Sequence, residues 1–129
     1  MAKFDLRKVE AVGGKQEFSE LVIDGVGQLE LFSNTLQDEH QQYISQLKTI
    51  LTYMAYLANG NSLTQDKFRD ITPDGEVIRE YEFKSKHLRI YAIKKPNGKI
   101  IVLGGFKNTQ KQDFKRFRSL KEHYLNSLI

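Results

Sequence analysis

The segment Leu88–Gly104, "LRIYAIKKPNGKIIVLG", constrains the fold more than any other part of the chain. Asn97-Gly98 is a strong short-range hairpin signal, because a tight type I′ turn demands positive φ at both central residues. The stretch before it alternates. Arg89, Tyr91 and Ile93 fall on one face of a strand, and Leu88, Ile90 and Ala92 on the other. After the turn, Ile100–Leu103 is continuously apolar, the pattern of a strand buried on both faces. A further strand is expected near Val77–Phe83, completing a three-stranded meander, and something must cover the sheet.

The remaining elements supply that cover. "KFDLRKVEAV" and "QEFSELVIDG" read as an N-terminal hairpin turning at Gly13-Gly14. "QLELFSNTL" reads as a short helix. From about Gln37 to Asn59, Tyr43, Leu47, Ile50, Leu51, Met54 and Leu57 recur at helical spacing, and Asn59-Gly60 provides a C-terminal stop. The pair forms a helical hairpin with its apolar stripe on the sheet. Residues 61–76 read as a polar connector that tucks in Leu63, Phe68 and Ile71. Thr109-Gln110-Lys111-Gln112 fits a capping box. It opens a last helix with an apolar stripe of Phe114, Phe117, Leu120, Tyr124 and Leu128 and a basic face of Lys111, Lys115 and Arg118. A chain of 129 residues accommodates this as one domain, residues 1–129.

Charge is distributed unevenly. Met1–Arg79 holds 8 Lys and Arg against 12 Asp and Glu, whereas Glu80–Ile129 holds 12 against 4. A second half so basic points to an anionic partner. The chain has no cysteine, no apolar run able to span a membrane and no apolar core of a signal peptide near its start, so a cytoplasmic protein is expected.

Several chemistries lack their residues. His40, His87 and His123 are scattered, with no helical ligand pair, so neither a metal nor another cofactor is expected. Asp38-Glu39 reads as helix surface, and Glu80 and Glu82 as an outward strand face. No nucleophilic serine sits in a Gly-x-Ser-x-Gly elbow, and the diglycines Gly13-Gly14 and Gly104-Gly105 lack the spacing of a phosphate-binding loop.

A set of Lys, Arg and Tyr on a sheet suits one further reaction. RNA carries its own nucleophile, the 2′-hydroxyl next to each phosphodiester. Its cleavage needs no metal if a base removes that proton, cations hold the phosphate and an acid protonates the leaving 5′-oxygen. Lysines crowded together depress one another's pKa, and the planar arginine fork matches two phosphate oxygens. On this reading Arg89 and Lys107 stabilise charge, Lys84 or Lys86 moves the proton, and Tyr91 stacks on a base or relays one. Lys94, Lys95, Lys99, Lys111, Lys115 and Arg118 would bind the nucleic-acid backbone.

The stretch Tyr81–Lys111 resembles the core signature of the RelE/ParE toxin superfamily, in its HigB-like, phage-derived branch. The resemblance rests on Tyr81-Glu82, on Arg89 and Tyr91, on the apolar strand Ile100–Leu103, and on Gly105-Phe106-Lys107 followed by Thr109-Gln110-Lys111. It covers residues 75 to 125 in detail, and the N-terminal half in element order only. The resemblance implies an α+β, RelE-like fold: a small antiparallel sheet with an N-terminal strand or hairpin, a packed helical hairpin, the meander and a C-terminal helix. It implies a toxin that cleaves mRNA on the ribosome and is held inactive by a small antitoxin protein. Arg89 and Lys107 carry over as the cationic site residues, with Lys84 and Lys86 beside them. The alternative is a non-catalytic module of the same fold, binding nucleic acid or protein as a degenerate or gyrase-directed toxin does.

Overall fold

The computed structural model describes residues Ala2–Ile129 and is an α+β fold with a mixed sheet of seven strands and three α-helices. The strands are β1 (Phe4–Lys8), β2 (Glu17–Ile23), β3 (Val26–Gly27), β4 (Phe68–Asp70), β5 (Glu80–Lys84), β6 (Leu88–Lys95) and β7 (Gly98–Phe106). The helices are α1 (Gln28–Glu39), α2 (Ile44–Ala58) and α3 (Gln110–Ser127), with short 3₁₀ turns at Gln41–Tyr43 and Lys107–Thr109. The main path across the sheet is β1-β2-β7-β6-β5-β4, and β3 pairs with β2 beside it.

The meander β5-β6-β7 forms as its alternation predicts. On one face Leu88, Ile90 and Ala92 join Phe18, Phe83 and Ile101 beneath α1 and α2, where Phe32, Leu36, Leu47, Ile50 and Met54 complete the core. On the other face Tyr91 and Ile93 join Leu21, Ile100 and Val102 beneath Phe117 and Tyr124 of α3. The sheet is thus covered on both sides, and Ile100, Ile101, Val102 and Leu103 are all buried. Burying an apolar side chain of this size stabilises a fold by roughly 1.5–3 kcal/mol, so the hydrophobic β7 cannot stand at a sheet edge.

The sheet is mixed rather than purely antiparallel because β2 runs parallel to β7, with Glu17 opposite Gly98 and Glu20 opposite Ile101. Two parallel strands need a long crossover, and here the helical hairpin and the meander together provide it. The hairpin turn also sits one residue earlier than the Asn-Gly signal suggests. Lys95 pairs with Gly98, so the central residues are Pro96 and Asn97. Proline fixes a negative φ at the first and Asn97 takes φ 59 at the second, the pattern of a type II turn. Gly98 is instead a strand residue that β2 crowds: a Cβ there would lie 1.7 Å from the Glu17 carbonyl oxygen.

Other expectations change in detail. Gly13-Gly14 is not a tight turn. β1 and β2 pair as a hairpin, but residues 9–16 form its loop and both glycines have φ outside the left-handed region. Gly14 is needed for close approach, since a Cβ would lie 2.8 Å from that of Ala58 at the end of α2. α2 does end at Asn59-Gly60 as expected, with Gly60 at φ 91. The connector after it contains the short strand β4. Thr109 precedes α3 but forms no capping box: its hydroxyl donates to Asp113 at 2.6 Å instead of receiving a helix N–H. Leu128 lies beyond the helix and is exposed.

The largest departure concerns Glu80 and Glu82, which are wholly buried under α3 rather than outward-facing. Each is neutralised from a distance in sequence. Glu80 accepts from Lys121 at 2.7 Å and from Arg118 at 3.1 Å, and Glu82 accepts from Arg69 at 3.1 Å and Gln110 at 2.5 Å. Lys121, only 3% exposed, also donates to Glu76 and to the Ile78 carbonyl. Breaking a buried ion pair leaves an uncompensated charge and costs about 3–5 kcal/mol. Lys121→Met is therefore expected to lower stability by about 3 kcal/mol, the lower end because Arg118 still faces Glu80. Urea denaturation measures this, and an unchanged midpoint would show that the pair does not anchor α3.

Candidate nucleic-acid interface

The cations proposed from the sequence do not form one patch. They divide among α3 and the two ends of β6, which lie about 20 Å apart at the usual rise per strand residue. At the turn end, Lys95 donates to Glu17 at 2.6 Å and to Ser19 at 3.0 Å. Lys99 is half-buried among rings, with its ammonium 4.9 Å from the centre of Tyr81 and 5.6 Å from those of Phe18 and Phe68. Burial lowers the Lys99 pKa, and the charge of Lys94 adds to the effect. Lys94 is exposed. On α3, Lys111 and Lys115 are exposed, whereas Arg118 is occupied with Glu80, the Ile71 carbonyl and the face of Phe114. Lys95, Lys99 and Arg118, all read as nucleic-acid-binding residues, are therefore each engaged in intramolecular contacts.

The other end of β6 gathers the rest. Lys84 stands opposite Arg89 across β5 and β6, and Lys86 is exposed in the turn between them. Lys107 follows β7 directly, and its backbone N–H donates to the His87 carbonyl at 2.8 Å. Four of the five proposed catalytic residues thus share one end of the sheet. The fifth does not reach it. Tyr91 is fully buried between Phe114 and Phe117, with ring centres 5.3 and 5.4 Å away. Its hydroxyl has no hydrogen-bond partner, and burial pushes its pKa up, with the charges of Glu82 and Asp113 adding to the rise. In this structure Tyr91 neither stacks on a base nor relays a proton. It is a core residue.

Arg89 is the residue whose surroundings need an explanation. It is 8% exposed, yet among the described residues no carboxylate lies within 4 Å of it. Its Nη1 donates to the Ser85 carbonyl at 2.6 Å and to the Leu88 carbonyl at 2.8 Å, which ties the guanidinium to its own turn. Its Nε is buried without a partner, while Nη2 has none either and reaches solvent. The nearby acids are engaged elsewhere: Glu82 with Arg69 and Gln110, Asp113 with Thr109. A nearly buried charge is costly unless paired, so the guanidinium suits an incoming anion at its solvent-reaching Nη2.

Gln46 of α2 fixes the same turn from the other side. Its Oε1 accepts from the Ser85 hydroxyl at 2.6 Å and from the His87 backbone N–H at 2.8 Å. Its side-chain nitrogen must then face His87 Nδ1, 2.9 Å away. His87 lines a basin of about 550 Å³ together with His40, Tyr43, Phe106, Lys107, Asn108 and Thr109. Sequence reasoning set both histidines aside as isolated. Their meeting across 47 residues has no local signal, and only Tyr43 at the start of a helical stripe hints that an aromatic ring faces this end.

Among the described residues no cluster of three or more His, Cys, Asp or Glu side chains is arranged to hold a metal, and no helix is long and apolar enough to cross a membrane. Compared with family models, curated proteins and solved structures, the chain has no match.

The unpartnered Tyr91 hydroxyl gives a sharp prediction. A buried polar group without a partner costs about 1–3 kcal/mol, so Tyr91→Phe is expected to leave stability unchanged or raise it by ~1 kcal/mol. Thermal unfolding measures this. A loss of more than about 1 kcal/mol would mean that the hydroxyl has a partner the geometry does not reveal.

Proposed function

We propose that the chain is a toxin of RelE-like type, a metal-independent endonuclease of mRNA on the ribosome, controlled by a small antitoxin protein. The observation that carries the reading is the unpaired guanidinium of Arg89 at the cationic end of the sheet. An RNA phosphate supplies the anion that Arg89 lacks; Lys84 stands opposite Arg89 in the sheet, and exposed Lys86 and Lys107 belong to the same end of it. The element order and the Tyr81–Lys111 motif support the RelE-like assignment.

In the reaction, the RNA 2′-oxygen attacks the neighbouring phosphorus and the bond to the 5′-oxygen breaks. A 2′,3′-cyclic phosphate and a free 5′-hydroxyl result. Lys107 and Arg89 offset the charge that grows on the non-bridging oxygens. The exposed Lys86 or the half-exposed Lys84 takes the 2′-proton or returns one to the 5′-oxygen. Tyr91 has no part in it. Its burial also favours a second reading, in which the same cationic end binds RNA or an acidic protein without cleaving, because the lysines are then the only proton-moving groups left of the original set.

Induction of the chain in a bacterial host separates the two. Growth arrest is expected, with mRNA cut inside translated regions, and Lys107→Ala and Lys86→Ala are expected to abolish cutting while remaining folded. Unimpaired growth and intact mRNA with a folded wild-type chain would overturn the endonuclease reading in favour of the binding module.

A further inference from the structure

The basin beside Lys107 has a chemistry of its own, distinct from the guanidinium edge of Arg89. Its walls are rings. Tyr43 and His87 stack with centres 4.6 Å apart and planes 22° apart, and His40 lies nearly parallel to Tyr43 at 6.0 Å. Phe106 closes the group, 4.7 Å from His40. All four rings are only partly buried, so each presents surface to the cavity. A volume of about 550 Å³ falls within the range usual for small-molecule sites. Exposed Lys107, also in the lining, opens the 3₁₀ turn that leads into α3, whose N-terminal end adds a partial positive charge.

The basin also holds a hydrogen-bond donor of fixed sense. The two donors that meet Gln46 Oε1 set the orientation of that amide, so its nitrogen donates to His87 Nδ1. In the neutral ring the proton therefore resides on Nε2. That nitrogen has no protein partner and is not among the buried atoms lacking one, so it opens to solvent. Turning the amide over would set its nitrogen against the His87 backbone N–H, two donors facing each other. His87 is consequently a steered donor, held by α2, in a basin that rings line on one side and Lys107, Asn108 and Thr109 complete.

We propose that this basin is a single-nucleotide subsite for RNA. One nucleobase stacks against the ring cluster, His87 Nε2–H donates to an acceptor on that base, and Lys107 holds the adjoining phosphate. Aromatic stacking accepts any base, whereas a donor that cannot reverse its sense favours bases that turn a carbonyl or ring nitrogen toward it. The subsite rests on the RNA reading above and gives it a means of base preference, because the turn that carries Lys86 and His87 is shared with Arg89 through Ser85.

The test is a titration of the full chain, with its histidines labelled with ¹⁵N, by each of the four ribonucleoside 5′-monophosphates and by inorganic phosphate. The His87 Nε2–H resonance is expected to move saturably with at least one nucleotide and not with inorganic phosphate. Tyr43→Leu is expected to weaken that nucleotide by about tenfold, the scale of one lost stacking contact, and Phe106→Leu serves as a second variant should the first unfold. Gln46→Leu is expected to release the tautomer, read from the ¹⁵N shifts of His87, and to flatten the preference among bases. No response of His87 to any nucleotide, or a response equal to that of phosphate, would overturn the subsite. The two readings fail separately. Growth arrest with a silent His87 would remove the subsite and keep the endonuclease, and a nucleotide-specific shift without RNA cleavage would do the reverse.

Discussion

The Arg89 guanidinium spends one nitrogen on its own turn and leaves the other two without a partner. Much of Arg89's end of the sheet depends on this arrangement. The Ser85 and Leu88 carbonyls that receive Nη1 bracket the turn carrying Lys86 and His87, and Gln46 grips the same turn from α2. The charge is fixed in place by neutral carbonyls rather than by a carboxylate, so its position is determined while its electrostatic demand remains open. Glu80 and Glu82 present the opposite case on the same face. They are buried, fully paired, and serve to fasten α3 and β4 to the meander. The chain thus contains both satisfied and unsatisfied buried charges within one layer.

This contrast accounts for the excess of positive charge in the second half of the chain. Part of it is structural: Arg118 and Lys121 neutralise Glu80, Lys95 meets Glu17, and Lys99 packs into an aromatic box. What remains free lies mostly at the end of β6 and β7 and along the first turns of α3, as Lys84, Lys86, Lys107, Lys111, Lys115 and Arg116, with Lys94 apart from them at the turn end. A count of cations in a sequence overstates the size of an anion-binding surface whenever buried carboxylates draw on the same supply.

How far the sequence could be read follows from the range of each signal. Alternation along Leu88–Ile93 is local, and it correctly distributes the five apolar and aromatic residues of that stretch between two cores. The helical stripe from Leu47 to Met54 and the stop at Gly60 are local too. The hairpin is correct, but proline at the first turn position moves it by one residue and makes Gly98 a strand residue. The parallel pairing of β2 with β7 joins segments some 80 residues apart and leaves no local mark, and β3 and β4 are too short to show a period. In the site, Lys107 and Arg89 stand at the same end of the sheet because neighbouring strands bring them there. Tyr91 follows the alternation to the α3 face, where the helix buries it. The two histidines meet only because the helical hairpin folds back over the start of β6.

The central claim is that Arg89 awaits an anion, and the most direct measurement is the ¹⁵N–¹H resonance of its Nε during titration with a short single-stranded RNA. The account predicts a saturable shift at Arg89 Nε as the fork pairs with a phosphate, with an apparent affinity that falls steeply as salt is raised. An Arg89 resonance that stays still while RNA binds, with only the exposed lysines responding, would show that the guanidinium is a structural tie of the turn and that the site has been placed in the wrong layer of the molecule.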